Sequence, residues 1–423
     1  MRRALVVLLA CAGPDVPPPS SPASSVPDGA FTSRMASEPP NQQPVRERPS
    51  GAPLPMTVAM APRMTSMASL ASLASLSVAA EMIAPLGAAA EGPELWLKGS
   101  THVHGKASGD SSEPYTNIIA WYEQHQYDFI FLTDHNRVSE LDAASNTRGQ
   151  IALREPNAGL IVLSGIELTH NPIGCLPVGD PSGNCRIHVN LLGPTARPGG
   201  RLEWAERRSH ARLDMYRAAL AARAALGGIA QINHPQWLWG MTPDLLVELA
   251  GRGVQLIEVA NSAFSKWNAG DAAHPSMEAL WDAALTRGAT LWGTASDDAH
   301  DYEGHGKYPP GGGWIVVRAR REPAAILEAV AAGHFYASNG VVLDRAEVEG
   351  GELVVAVDPT AAGHYTIDLI ENARRVDTIT GKIARRAVPA TGYLRAVVTR
   401  DDGKRAWVQP VRASRPPQLP PQR

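Results

Sequence analysis

Between residues 94 and 340 the chain alternates segments patterned as strands with segments patterned as helices. That alternation admits few architectures. The strand-like segments are LWLKGSTHVH, YDFIFLTDHN, GLIVLSGIELTH, CRIHVNLLG, GGIAQINHP, VQLIEVANS and ATLWGTASDDAH. Between or after them come SEPYTNIIAWYEQHQ, with Ser112 or Glu113 near its start, an Ala/Arg-rich stretch from about Leu202 to Leu226, PDLLVELAGR, SMEALWDAALTRG and REPAAILEAVAAG, all with apolar residues at helical spacing. Strands alternating with helices argue for parallel βαβ units. About seven such units predict an α/β fold, a closed or nearly closed (β/α) barrel, with a doubly wound open sheet as the alternative.

The pattern changes after Gly340. VVLDRAEVEGGELVVAVDP, HYTIDLIEN, TGYLRAVVTRD and KRAWVQPVRA alternate apolar and polar residues between Gly and Asp turns. They read as a small antiparallel, β-sandwich-like domain over 341–413. The tail 414–423, SRPPQLPPQR, is expected to be disordered.

At the other end, Met1-Arg2-Arg3 is a basic start, ALVVLLA a short apolar run, and LLAC resembles a lipoprotein signal over 1–11 with Cys11 as the lipidated residue. A start further downstream is the alternative, with MAPRMTSMASLASLASLSVAA from Met60 as the targeting segment. Both readings predict export to the periplasm or cell envelope. Residues 12–93 are rich in Pro and Ser, then in Met, Ala, Ser and Leu, and are expected to form a low-complexity linker. Cys175 and Cys185 stand ten apart in a Gly/Pro/Asp-rich loop. They are a candidate disulfide in an oxidising compartment, or two free loop thiols. Net charge is −3, with no basic run, so no nucleic-acid partner is expected. No stretch reaches the ~18–20 apolar residues of a membrane span, which leaves a lipid anchor as the expected membrane link.

The chemistry-bearing residues gather where the strand-like segments end. The first ends in His102-Val103-His104, with Asp110 beyond it. A strand alternates faces, so His102 and His104 point the same way. The second segment ends in Asp134-His135, GIELT carries Glu167, CRIHVN carries His188, NHP carries His234, and SDDAH carries Asp298 and His300. Any one of these has a structural explanation: Asp134 as a helix cap, Glu167 as an ion-pair partner, His234 as a satisfied polar residue. As a set, imidazoles and carboxylates at successive strand ends suit a metal centre, since barrel enzymes build their sites there. Asp297 competes with Asp298 for one position, and the two-residue spacing to His300 favours Asp298.

These segments, STHVHG, LTDHN, GIE, HVN, NHP and SDDAH in that order, resemble the PHP (polymerase and histidinol phosphatase) superfamily of metal-dependent hydrolases over residues 95–340. The closest likeness is to its exported, carbaryl-hydrolase-like branch. The resemblance implies a distorted seven-stranded (β/α) barrel and two or three divalent ions. It implies one ion on His102, His104, Glu167 and Asp298, a second on Asp110, His135 and His300, and a third on Glu167, His188 and His234, with Glu167 bridging. STHVH departs from the family in lacking the acidic residue that often precedes the first histidine. Nitrogen and oxygen ligands without thiolate favour Zn, Mn or Fe. A metal-activated water then implies hydrolysis, with Glu167 and Asp298 at the catalytic centre and Asp134 orienting a ligand histidine. A phosphoester of a small molecule is the leading substrate class, and an amide, carbamate or ester the alternative. A non-catalytic metal-binding or surface-binding protein is the rival of another class. Lys106 and Arg137 are either contacts for an anionic substrate or exposed surface charges. Trp237, Trp239 and Trp267 either line a pocket or pack in loops. His170 and His305 are not expected to be ligands. Glu258 and Asn261 are expected to have a structural or pocket-lining role.

Overall fold

A computed structural model describes residues 92–139, 159–179, 181–205, 209–304 and 306–413. The expected signal with Cys11, the linker apart from its last two residues, His305 and the expected tail lie outside the described residues.

The seven strand-like segments form β1 (Leu95–Val103), β2 (Phe129–Leu132), β3 (Ile161–His170), β4 (Ile187–Leu192), β5 (Ile229–Ile232), β6 (Leu256–Asn261) and β7 (Trp292–Ser296), hydrogen-bonded side by side in chain order. Nearly every residue of β2 to β5 is buried, as a layer covered on both faces requires. Gly99 in β1 leaves room for the Phe129 ring, which would lie 2.3 Å from a Cβ there.

The helices are α1 (Tyr115–Gln124), α2 (Arg212–Leu226), α3 (Pro243–Gly251), α4 (Ser265–Ala269), α5 (Met277–Thr286) and α6 (Pro323–Ala332). Helix α1 begins at Tyr115 after an extended Pro114 at its cap, and it buries Tyr115, Ile118 and Tyr122 on one face. Helices α3 and α5 are capped by Thr242 and Ser276, whose side chains accept from Leu245 N and Ala279 N. The helix expected from Leu202 begins only at Arg212. The segment before it is pinned elsewhere: Leu202 N donates to Asn136 O and Trp204 Nε1 to Asn136 Oδ1.

The seven-stranded (β/α) barrel is not what forms. Such a barrel needs parallel strands, each followed by a helix. Here β4 runs antiparallel to both β3 and β5, and β3 passes to β4 through a loop without a helix. The β1 edge that closure would use is taken instead by β8 (Trp314–Ala319), antiparallel to it. Strand β8 pairs in turn with β9 (Phe335–Ser338). The result is a 13-stranded mixed sheet accompanied by six α-helices among the described residues. This sheet still curls: β7 packs against β1, β8 and β9, and Val103 bridges to Ala299.

The strands beyond Gly340 are β10 (Leu343–Glu349), β11 (Glu352–Val357), β12 (Tyr365–Glu371), β13 (Arg374–Thr380), β14 (Ile383–Ala387), β15 (Leu394–Arg400) and β16 (Arg405–Val408). All their pairings are antiparallel, but they divide. Strands β16, β15, β12 and β13 extend the large sheet from β9, while β10, β11 and β14 form a second sheet of three. The described residues belong to one compact unit.

A buried ion pair joins these strands to the helices. Arg395 on β15 forks onto Asp282 of α5 (Nε to Oδ1 2.7 Å, Nη2 to Oδ2 2.6 Å), with Tyr393 Oη donating to the same carboxylate at 2.6 Å. The Trp281 ring lies 4.9 Å from the guanidinium.

Candidate metal centre

One edge of the sheet collects the ligand-type residues. His102 sits at the end of β1 and His104 just past it. His135 follows β2, Glu167 lies near the end of β3, His234 follows β5, and Asp298 and His300 follow β7. His188 lies at the beginning of β4, not its end. Because β4 is antiparallel, its beginning meets the end of β3, with His188 beside Thr169 and Asn190 beside Glu167. Two of these residues sit in the left-handed backbone region, His234 at φ 25° and Asp298 at φ 50°. Non-glycine residues rarely adopt it, and such strain concentrates at functional sites.

His102, His104 and Glu167 have no exposed surface, and His188, His234 and Asp298 are also buried. His102 Nε2 lies 3.0 Å from Asp298 Oδ1 and 3.3 Å from Glu167 Oε1. His104 Nε2 is 3.1 Å from Asp298 Oδ1. His188 Nδ1 is 2.9 Å, and His135 Nδ1 2.5 Å, from the two Glu167 oxygens. Asp110 sits at the rim with its side chain 53% exposed, 2.9 Å from His135 Nε2 and 3.4 Å from His300 Nε2. Three groups have ligand atoms all within 4.8 Å of one another: His104, His135 and His300; His102, His104 and Glu167; and Glu167, His188 and His234.

Several of these atoms converge without bonding. His104 Nε2, His234 Nε2 and Asp298 Oδ1 are buried and make no hydrogen bond. His104 Nε2 and Asp298 Oδ1 face each other at 3.1 Å, yet outside hydrogen-bond geometry. Unpaired buried polar atoms are costly. Nitrogen and oxygen lone pairs aimed at a shared point are what a divalent cation requires. The buried His/Glu/Asp cluster therefore fits a metal ion.

The outer ring nitrogens are held in the manner of metal ligands. His102 Nδ1 donates to Glu258 Oε1 at 2.8 Å, and His104 Nδ1 meets Ser108 Oγ at 2.8 Å, which leaves both Nε2 atoms turned inward. Glu258 is fully buried and also accepts from Ser296 Oγ (2.5 Å), His234 N (2.6 Å) and Asn261 Nδ2 (2.9 Å).

The electrostatics separate the imidazoles into two kinds. Burial, together with the neighbouring imidazoles of His300 and His135, pushes His104 down to about 3. Burial likewise takes His188 down to about 4 despite Glu167. Both are neutral and able to ligate. Burial also opposes the charge on His102 and His135, but there the carboxylates win. Asp298, Glu258 and Glu167 raise His102 well above its ordinary value, and Glu167 with Asp110 lifts His135 to about 10. Burial would raise Glu167 and Asp298, yet the surrounding histidines hold both well below the usual carboxylate range.

All nine residues of the expected ligand set thus come together, Asp110 at the rim. Asp134 is elsewhere. It is buried, but its carboxylate accepts from Tyr115 Oη (2.5 Å) and Gly105 N (2.8 Å) and hydrogen-bonds no histidine among the described residues. Asp297 accepts from Gly311 N and Gly312 N, outside the ligand groups. Trp237 lines the cluster, its ring centroid 5.0 Å from that of His234, 5.5 Å from His188 and 4.7 Å from Phe264. Trp239 stacks on His274 at 4.3 Å. Lys106 is exposed, and Arg137 is half-buried with its N–H on Asp134 O. Cys175 and Cys185 are joined in a disulfide. Glu258, expected to be structural or pocket-lining, holds His102, and Ser108 is a positioning residue that sequence reasoning missed. The available signals were a carboxylate near the end of β6 and a serine four residues after His104. No family model matches the chain, and no curated protein matches it.

Proposed function

We propose that this chain is a metal-dependent hydrolase acting on a small-molecule phosphoester, as the resemblance to the PHP superfamily implies. One observation carries the reading. His104 Nε2, His234 Nε2 and Asp298 Oδ1 are buried and unbonded, the two imidazoles grouped with Glu167 and the carboxylate oxygen beside His102 and His104. His102, His104, Glu167 and Asp298 would hold one ion, His135, His300 and Asp110 a second, and Glu167, His188 and His234 a third. Zn, Mn and Fe suit such donors. Divalent ions bound there supply an acidified water and polarise the phosphoryl or carbonyl oxygen of a substrate. The chain's own residues orient the ligands through Glu258 and Ser108, and Trp237 with Phe264 closes one wall. That aromatic wall favours a second reading on the same site, hydrolysis of a neutral ester, amide or carbamate. The Cys175–Cys185 disulfide supports export, in line with the lipoprotein-like start.

The test is metal content by elemental analysis beside a hydrolysis screen. The full chain is purified without chelator and compared with His102→Ala on a phosphomonoester, a phosphodiester, an aryl ester and an aryl carbamate. Two or three equivalents of metal, with turnover of a phosphoester only in the unsubstituted protein, is the expected result. Folded protein without transition metal would overturn the reading in favour of a non-catalytic binding protein.

A further inference from the structure

We propose that residues 171–179, together with the tryptophan turn beside them, form a surface that docks onto a lipid bilayer. The proposal goes beyond the hydrolase reading and does not depend on it. Ile173, Leu176 and Val178 are 72%, 59% and 64% exposed, and with Ile383 they are the four most exposed large hydrophobic side chains among the described residues. Aliphatic side chains scattered singly over a surface are ordinary, but three within six residues are not. The backbone is held so that they stay outside. A disulfide joins Cys175 to Cys185, Cys185 N donates to Pro172 O at 3.0 Å, Leu176 N to His210 O at 2.6 Å, and Arg212 Nε to Pro177 O at 3.0 Å. At Gly179 a Cβ would lie 2.5 Å from Leu238 O and 2.6 Å from Trp239 O, so glycine lets this stretch lie against the turn Trp237–Trp239. In that turn Leu238 and Trp239 sit at φ 57° and 54°, a region non-glycine residues rarely adopt. Both side chains are half-buried, and the Trp239 ring lies 6.5 Å from that of Trp267.

The chemistry of this surface selects a bilayer as its partner. Tryptophan collects where an apolar phase meets water, because its ring is apolar and its N–H is not. Exposed aliphatic side chains backed by half-buried tryptophans are what an interfacial segment presents to lipid. Charge agrees with it. Residues 171–179, 237–241 and 262–268 contain no acidic residue, and their one cation is Lys266. Lys266 is exposed, with Nζ 5.3 Å from the Trp267 ring centroid. An ammonium on a long apolar stem can reach anionic headgroups while its methylenes stay with the apolar layer. A stretch already fixed by these bonds loses little freedom on docking. It also starts at the ligand cluster, since Asn171 Oδ1 lies 2.8 Å from His188 Nε2. Docking through Ile173, Leu176 and Val178 would hold that cluster near the lipid surface. The lipid anchor expected at Cys11 would tether the chain to the same bilayer.

The experiment uses the full chain with Cys11→Ser, so that no lipid is attached. It is compared with the same chain carrying Ile173→Asp, Leu176→Asp, Val178→Asp or Lys266→Gln. Binding is read by cosedimentation with vesicles of phosphatidylcholine alone and of phosphatidylcholine mixed with phosphatidylglycerol. Thermal melting checks folding, and sedimentation velocity checks self-association. The parent chain should bind the mixed vesicles. Each Asp variant should lower the partition coefficient about tenfold or more, the loss of one buried aliphatic side chain. Lys266→Gln should lower it about fivefold on the mixed vesicles and leave it unchanged on phosphatidylcholine alone. No vesicle binding by the parent chain would overturn the proposal. So would binding that the three Asp variants leave intact, because the contact would then lie elsewhere in the chain. Self-association abolished by the Asp variants, without vesicle binding, would overturn it in favour of a second copy of the chain. Should an Asp variant melt early, Ser at the same position decides, since it removes apolar surface without adding charge.

Discussion

Glu258→Gln should strip metal from a protein that stays folded, and the reason can be followed atom by atom. An ionised carboxylate only accepts hydrogen bonds. Every neighbour of Glu258 is accordingly a donor: His102 Nδ1, Ser296 Oγ and Gln231 Nε2 (3.5 Å) on Oε1, and His234 N and Asn261 Nδ2 on Oε2. Glutamine has the same shape but must point its NH₂ at one of these two sets. The backbone N–H of His234 cannot become an acceptor, so the amide oxygen stays on that side and the NH₂ turns toward His102 and Ser296. The serine hydroxyl can rotate to accept. His102 can accept at Nδ1 only by moving its ring proton to Nε2, the atom that faces Asp298 and Glu167. That tautomer has no lone pair for a cation. Loss of an outer partner of a ligand histidine costs roughly 10–100-fold in metal affinity, which is about 1.4–2.8 kcal/mol. The assay is competition with a chromophoric chelator, together with elemental analysis and a thermal melt. Glu258→Ala is the contrast, since it abandons all five donors and should lower the melt as well as the metal affinity. Unchanged metal affinity in Glu258→Gln, within about twofold, would refute the assignment of His102 Nε2 as a ligand atom.

Further predictions concern stability. Asp282→Ala removes the forked carboxylate from the buried Arg395 guanidinium, leaving Glu278 Oε2 at 3.7 Å, and should cost about 3–5 kcal/mol in urea unfolding. Asp282→Leu combined with Arg395→Met should recover most of that, and a double variant as unstable as the single would contradict it. Burial lowers Lys98 to about 8, against the countering pull of Asp297 and Asp128. Its folded form thus binds fewer protons than the unfolded chain between pH 8 and about 10.5, the ordinary lysine value. Stability should therefore rise with pH across that window relative to Lys98→Met; parallel pH profiles of wild type and variant in urea would count against it. Cys175→Ser with Cys185→Ser opens a link ten residues long, and loop entropy puts its loss at about 2–3 kcal/mol. Equal urea midpoints with and without the link would show that the loop is held by its other contacts alone.

Most of the candidate site was legible in the sequence because its imidazoles and carboxylates are chemically unusual where they stand. Two imidazoles on one strand face, or an aspartate and a histidine two residues apart, are poor packing unless something binds them. Positioning contacts were less legible. Glu258 reaches His102 across 156 positions of chain, through a sheet register that local patterning does not specify. Asp134 shows the opposite failure. Its place beside His135 suggested a histidine partner, but Tyr115, nineteen residues back, reaches the carboxylate first. Strands β1 to β7 were each visible as apolar runs. Their directions were not, because a short buried run reads the same in a parallel or an antiparallel neighbour. Strands β8, β9, β13 and β14 went unread. Strand β13 is mostly exposed, so it lacks the buried face that produces alternation.

The unexpected direction of β4 and the meeting of His188 with Glu167 are connected. In a parallel barrel the ligands belong at the C-terminal ends of strands, and His188 stands second in β4. Were β4 parallel to β3, that end would lie across the sheet from Glu167, and His188 could not join it. Running antiparallel, β4 brings its first residues to the last residues of β3, with Thr169 opposite His188. Strand β5 then returns parallel to β3, and Asn233 N donates to His188 O as the chain leaves for His234. The reversal that breaks the barrel thus carries His188 to Glu167 and sets His234 beside it. The cluster of Glu167, His188 and His234 depends on that departure from regular alternation, whereas His102, His104, His135 and Asp298 come from strands that obey it.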